Sequence, residues 1–300
     1  MKKFLLVVVM LVSLLVIGTG CVKQESSSAL DKVEGNISYQ TLSSIKLLEA
    51  KEQFSRVQKM SQSEDAVEVT EQEEVQKYLS LMEEFIATDG GMKTEVKESD
   101  KVEYANYIRI TTKDLQGNEA SYDLYYNQEL IKEEDEDKDE DKDESDEVEE
   151  EYSVTGICIS NDVVYQLEGK IEKEQDKDEV ENESYFKIIQ DKDNYIVVKE
   201  EFEQEQNEYE HEFKYEIVAN GKKVETVSFE LEEEDGKLSI EVKESKNGFK
   251  RSYKFKEHKE GQNKFIKIQV KEGKEVKNII VRAVLNAETN EYEYNYQYAK

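Results

Sequence analysis

Residues 209–217 read YEHEFKYEI. Tyr209, His211, Phe213, Tyr215 and Ile217 fall on one side of an extended chain, and Glu210, Glu212, Lys214 and Glu216 on the other. Successive side chains of a strand point to opposite faces, so this pattern predicts a strand with one face buried and one face in water. The alternation recurs on both sides of this stretch. Tyr122, Leu124 and Tyr126 show it, as do Val227, Phe229 and Leu231, then Leu238, Ile240 and Val242, then Ile266, Ile268 and Val270. The chain closes on Tyr292, Tyr294, Tyr296 and Tyr298 at every second position. From Val102 onward, period two governs the sequence.

Turn signals separate these runs at intervals of about 12 to 15 residues: Asn220-Gly221, Asp235-Gly236, Asn247-Gly248, Glu260-Gly261, Glu272-Gly273 and the segment 286–290. Asn-Gly and Asp-Gly favour type I′ turns, whose twist matches that of the flanking strands. About 13 strands joined by tight turns predict a sequential antiparallel meander. A meander of that length cannot stay flat with one bare apolar face. The expected fold class is therefore mainly β with N-terminal helices (α+β): a curled sheet or partly open barrel with two helices packed on it. A transmembrane barrel is argued against, because lipid-facing positions must be apolar and here one face of each strand carries Glu and Lys.

Upstream the period lengthens. Between Ser38 and Met60, Leu42, Ile45, Leu48 and Val57 fall mostly on one helical face, with Leu47 and Phe54 alongside. A second helix is signalled by the capping pair Thr70 and Glu73. Val75, Tyr78, Leu79, Met82, Phe85 and Ile86 then follow in three- and four-residue steps, and Asp89-Gly90-Gly91 forms a stop. Both stripes read as packing faces. The resulting division is a two-helix segment over 37–91 and a β-meander domain over 92–300.

The net charge is −30, and charged and apolar residues each make up 37% of the chain. Such a balance excludes nucleic acid as a partner by simple repulsion. Cationic ligands and a cell-envelope protein remain the expected partners, and the protein is expected to be a monomer. Residues 133–151 hold 15 acidic residues and two lysines, without apolar periodicity, and are expected to form a solvated, self-repelling loop. Asp135, Asp137, Asp139, Asp141 and Asp143 are its candidate metal ligands, since hard cations take several carboxylate oxygens. The run contains no glycine, so it lacks the turn that an EF-hand loop needs. At most it predicts low-affinity Ca²⁺ buffering.

Residues 1–21 read MKKFLLVVVMLVSLLVIGTGC. Lys2 and Lys3 precede an apolar run of 14 residues, Phe4 to Ile17, broken only by Ser13. That is shorter than the ~20 residues a membrane-spanning helix requires and has the length of a signal-peptide core. The following Gly18-Thr19-Gly20-Cys21 resembles the lipobox of bacterial lipoproteins, with Gly18 where that family usually has an aliphatic residue. The resemblance implies acylation of the Cys21 sulfur, palmitate among the acyl chains, and cleavage after Gly20. It places the mature protein at the extracytoplasmic face of the cell membrane. Residues 21–36 are then the tether. With its acidic, Tyr-rich hairpins the chain is similar to the small surface lipoproteins of low-GC Gram-positive bacteria, a likeness specific over residues 1–21 and compositional beyond. In outline it also resembles the half-barrel lipoproteins that carry lipids.

Chemistry-bearing motifs are scarce. The chain has two histidines: His211 aligns with the apolar face of its strand, and His258 is expected near a turn and exposed. Cys158, the one cysteine besides Cys21, reads as a small buried hydrophobe. No nucleophile elbow, phosphate loop, metalloprotease motif or paired-cysteine motif is present, and no catalytic residue or cofactor is expected. Three functions stay open: a non-catalytic binding or structural module, a carrier of a lipid or other amphiphile, and a Ca²⁺ buffer.

Overall fold

The computed structural model describes residues 33–61, 71–86, 92–114, 118–135, 148–175, 179–205, 208–234, 237–246, 248–260, 263–285 and 292–299. Two helices come first, α1 (Val33–Ser61) and α2 (Glu71–Ile86). Fourteen strands follow. They are β1 (Met92–Glu98), β2 (Asn106–Lys113), β3 (Glu119–Asp135), β4 (Val148–Ser160), β5 (Val163–Gln175), β6 (Glu179–Asp191) and β7 (Asn194–Glu205). The series continues with β8 (Glu208–Ala219), β9 (Lys222–Glu234), β10 (Lys237–Lys246), β11 (Phe249–Glu260), β12 (Asn263–Glu272), β13 (Glu275–Leu285) and β14 (Tyr292–Ala299).

All the strands form one antiparallel sheet in sequence order, with β1 and β14 as its two edges, so the sheet is not closed. The alternation that predicted the strands now has a geometric meaning. His211, Phe213, Tyr215 and Ile217 are buried on the inner face, while Glu210 and Lys214 are exposed on the outer face. Opposite them in register stand Phe202, Phe229, Val227 and Leu231, also buried, so each inner row continues from strand to strand. The β8–β9 turn carries Asn220 at φ 51° and Gly221 at φ 70°, the pair of positive values that a type I′ turn demands. Asn161 and Asp162, at φ 47° and 65°, make the same kind of turn between β4 and β5 without a glycine, which is why the dipeptide gave no signal.

The helices lie against the inner face. From Gly35 to Leu48, every residue of α1 except Asn36 and Lys46 is buried. Besides Ile37, Leu42 and Ile45, the buried set includes Ser38, Gln40, Thr41, Ser43 and Ser44. The expected packing stripe Leu42, Ile45 and Leu48 is buried, and over Gly35–Leu48 the polar side of the helix is buried with it. Its side chains reach β4 through β9: Glu49 meets Ser160 and Tyr165, Gln40 meets Ser184, and Tyr39 packs on Phe213 and Phe229. Polar residues on a helix hid this role, since enclosure on every side normally requires an apolar surface all round.

Several boundaries also move. Helix α1 begins at Val33, inside the stretch read as tether. The first strand begins at Met92, while Val102 lies in a turn and is fully exposed. The acidic run is shorter as a connection than expected, because its ends pair as Glu133 with Glu150, Glu134 with Glu149 and Asp135 with Val148. Cross-strand backbone hydrogen bonds hold this extension although the sequence there has no apolar face. His258 is half-buried within β11 and stacked on Phe265 at 5.5 Å, not exposed at a turn.

Candidate functional site

The outer face of the sheet carries an ordered array of carboxylates. Register across β4 to β10 places Glu151, Glu172, Glu183, Glu201, Glu212, Glu230 and Glu241 directly opposite one another in one row. A second row, two residues further along each strand, holds Glu149, Glu174, Glu181, Glu203, Glu210 and Glu232 across β4 to β9. Neighbouring strands lie ~4.8 Å apart and residues i and i+2 lie ~6.6 Å apart. Like charges directly opposite each other are destabilising, so the array opposes folding at each step.

The two rows are compensated differently. On the far side of the first row runs a row containing Lys170, Lys199, Lys214 and Lys243. Lys170 pairs with Glu151, Lys243 pairs with Glu230, and Lys214 lies 3.0 Å from Glu212 and 3.5 Å from Glu201. Among the described residues, no cation is paired with Glu174, Glu181, Glu203, Glu210 or Glu232 of the second row. Partial burial, followed by the charges of Glu232, Glu203, Glu230 and Glu212, pushes the Glu210 carboxyl above its ordinary range. A groove of about 210 Å³ lies here, lined by Glu181, Glu183, Glu201, Glu203, Glu210 and Glu212 with Asn182 and Phe202.

A second polar constellation is sealed between α1 and the sheet. The Ser184 hydroxyl donates to Glu200 Oε2 at 2.8 Å, Asn36 donates to Glu200 Oε1, and Gln40 donates to Ser184 at 2.6 Å. His211 Nε2 lies 3.2 Å from Glu200 Oε1, with its ring between Phe202 and Phe213. Glu200 is 1% exposed and His211 is fully buried. The serine gives its proton to the carboxylate rather than to the imidazole, which is not the order a nucleophile and base require. The cluster accounts for the polar residues of α1 in part only. Gln40 Oε1, Thr41 Oγ1 and Ser44 Oγ are buried without a hydrogen-bond partner among the described residues.

Helix α2 docks through a third network. Lys77 pairs with Glu225 of β9, and both side chains are nearly inaccessible. Burial alone would push the Glu225 carboxyl up, but the charge and hydrogen bond of Lys77, together with Lys246, hold it below its ordinary value. Tyr78 packs on Tyr253 of β11 at 4.8 Å, and Arg251 joins Glu74 to Glu272.

Of the residues singled out from the sequence, Cys158 faces the interior at 1% exposure, and burial, with Asp123 and Glu49 nearby, pushes its thiol up to about 12. That protonated, enclosed thiol is an unreactive one. Asp135 ends β3 opposite Val148, while Asp137, Asp139, Asp141, Asp143 and the lipidation candidate Cys21 lie outside the described residues. The carboxylate rows escaped sequence reading because they become visible only once six hairpins are put in register. The signal was nevertheless present in the recurring pairs Glu201 and Glu203, Glu210 and Glu212, and Glu230 and Glu232. No family model, curated protein or solved structure matches the chain.

Proposed function

We propose that the chain is an extracytoplasmic lipoprotein, held at the cell membrane by lipid on Cys21, that works as a non-catalytic binding module. In this reading the sheet is a partly open barrel with its bore occupied by α1. The observation that carries it is the burial of α1 from Gly35 to Leu48 against the inner face, where a carrier would need open space. Among the described residues no helix is long and apolar enough to cross a membrane; in this reading acyl chains on Cys21 supply the attachment.

Two measurements test the two halves of this reading. Labelled palmitate is expected to enter the wild-type chain and not Cys21→Ala, with Cys21 as the mature N-terminus; label in both chains removes the anchor. Native mass spectrometry of the purified protein is expected to give the mass of the acylated chain alone. A retained, exchangeable lipid would instead support a carrier and overturn the filled-interior reading.

A further inference from the structure

We propose that the outer face of β4–β9 is a docking surface for a protein partner that presents a basic strip and, some way along from it, an apolar strip. The proposal rests on the binding-module reading above and specifies its partner. Two independent features of the same sheet face lead to it.

The first is the row Glu174, Glu181, Glu203, Glu210 and Glu232, with which no cation among the described residues pairs, beside a groove large enough to take a lysine or arginine side chain. In the adjoining row Glu151, Glu201, Glu212 and Glu230 are paired with lysines, so missing lysines are not a general property of this face. Complementary charge steers a basic partner and fixes its register.

The second is an apolar band at the opposite end of the same strands. Register aligns Tyr125, Ile157, Gln166, Ile189 and Tyr195 in one row on this face, in which Tyr125 is covered by Tyr107 and Gln166 interrupts the apolar run. Beside it Val164 is 49% exposed, and Ile157, Ile189 and Tyr195 are half-buried on the face that turns away from the core. An apolar band on an outer face that is otherwise densely charged marks an interaction surface. Eight residues of β5 separate Gln166 from Glu174, which puts the two features ~27 Å apart along the strand, within the footprint of an ordinary protein interface.

The experiment uses the full chain and three synthetic peptides: an oligolysine run, an apolar run, and a block peptide joining both through a flexible spacer that crosses that distance. The block peptide is expected to bind about tenfold or more tighter than either run alone, because the second contact becomes intramolecular. Glu174→Gln, Glu181→Gln, Glu203→Gln, Glu210→Gln and Glu232→Gln together should abolish binding of the lysine run. Val164→Ser, Ile189→Ser and Tyr195→Ser together should return the block peptide to the affinity of the lysine run. A charge-matched control neutralises Glu95, Glu98, Glu103, Asp114 and Glu119 in and between β1, β2 and β3 and should leave both affinities within about twofold. Equal loss in the control would reduce the effect to net charge and overturn the proposal. So would a block peptide no tighter than the lysine run. In either case palmitate labelling of Cys21 is untouched, so a failed docking surface is distinguishable from a failed anchor.

Discussion

Glu210 offers the most direct measure of what the carboxylate rows do to the fold. It stands opposite Glu203 on β7 and Glu232 on β9. Each like-charged cross-strand pair destabilises a sheet by ~0.2–1 kcal/mol, so Glu210→Gln, which removes two, should stabilise the protein by ~0.4–2 kcal/mol. For a domain of this size that corresponds to a Tm rise of ~1–8 °C. Chemical denaturation at pH 7 in low salt would read it. The gain should fade in 1 M salt, where the screening length is ~3 Å. The pH dependence has a defined sign. The Glu210 carboxyl is raised in the folded state, so its ionised form weakens the fold above that value, and stability recovers as pH falls through it towards the ordinary carboxylate range. The Gln variant should lack that recovery. Glu201→Gln is the internal contrast, because it also gives up the pairing with Lys214 and should gain less. A Glu210→Gln protein no more stable than wild type in low salt, or equally improved in 1 M salt, would refute the reasoning.

Other perturbations probe the interior. Lys77→Ala leaves Glu225 buried beside a single, more distant lysine, Lys246 at 3.7 Å, and should cost ~3–5 kcal/mol in denaturant melts; Lys77→Met with Glu225→Leu should recover most of that loss. Thr41→Val and Ser44→Ala each remove a buried hydroxyl without a partner among the described residues and should stabilise by ~1–3 kcal/mol, read by the same melts. Gly169→Ala would put a methyl group 2.2 Å from the Tyr185 carbonyl oxygen and 2.4 Å from the Phe186 ring, so a loss of ~1–3 kcal/mol is expected. In a Cys21→Ser background, Cys158 should resist a thiol reagent until the protein unfolds, and modification in native buffer would contradict its burial.

The sheet was legible because each hairpin carries its own evidence: alternation fixes the strand, and a turn dipeptide such as Asn220-Gly221 fixes where it reverses. Sequential order followed from the shortness of the connections. What stayed hidden depends on pairing over long separations. Nothing near Asn36 announces Glu200, and nothing near Lys77 announces Glu225; each partnership exists only after the strands are assembled. The enclosure of α1 was hidden for a further reason. Ser38, Gln40, Thr41, Ser43 and Ser44 look like a solvent-facing surface, yet they face inner-sheet groups such as Ser184 and Tyr215 or are simply enclosed. The outer face posed the reverse difficulty: each glutamate is unremarkable singly, and only the lateral alignment of Glu181, Glu203, Glu210 and Glu232 gives it meaning.

The strictly sequential strand order has a kinetic corollary. Every strand finds its partner in the segment made just before or after it, so the sheet can zip hairpin by hairpin with small loop-closure penalties. The two helices are synthesised first but meet residues 164 positions later at Asn36–Glu200 and 177 later at Arg251–Glu74. Their docking is therefore completed only after β7 and β11 have emerged. Folding in the order of synthesis would make the growing sheet the early event and the last helix contacts the late, rate-limiting one, so truncation after β6 should yield a chain whose helices are only partly docked.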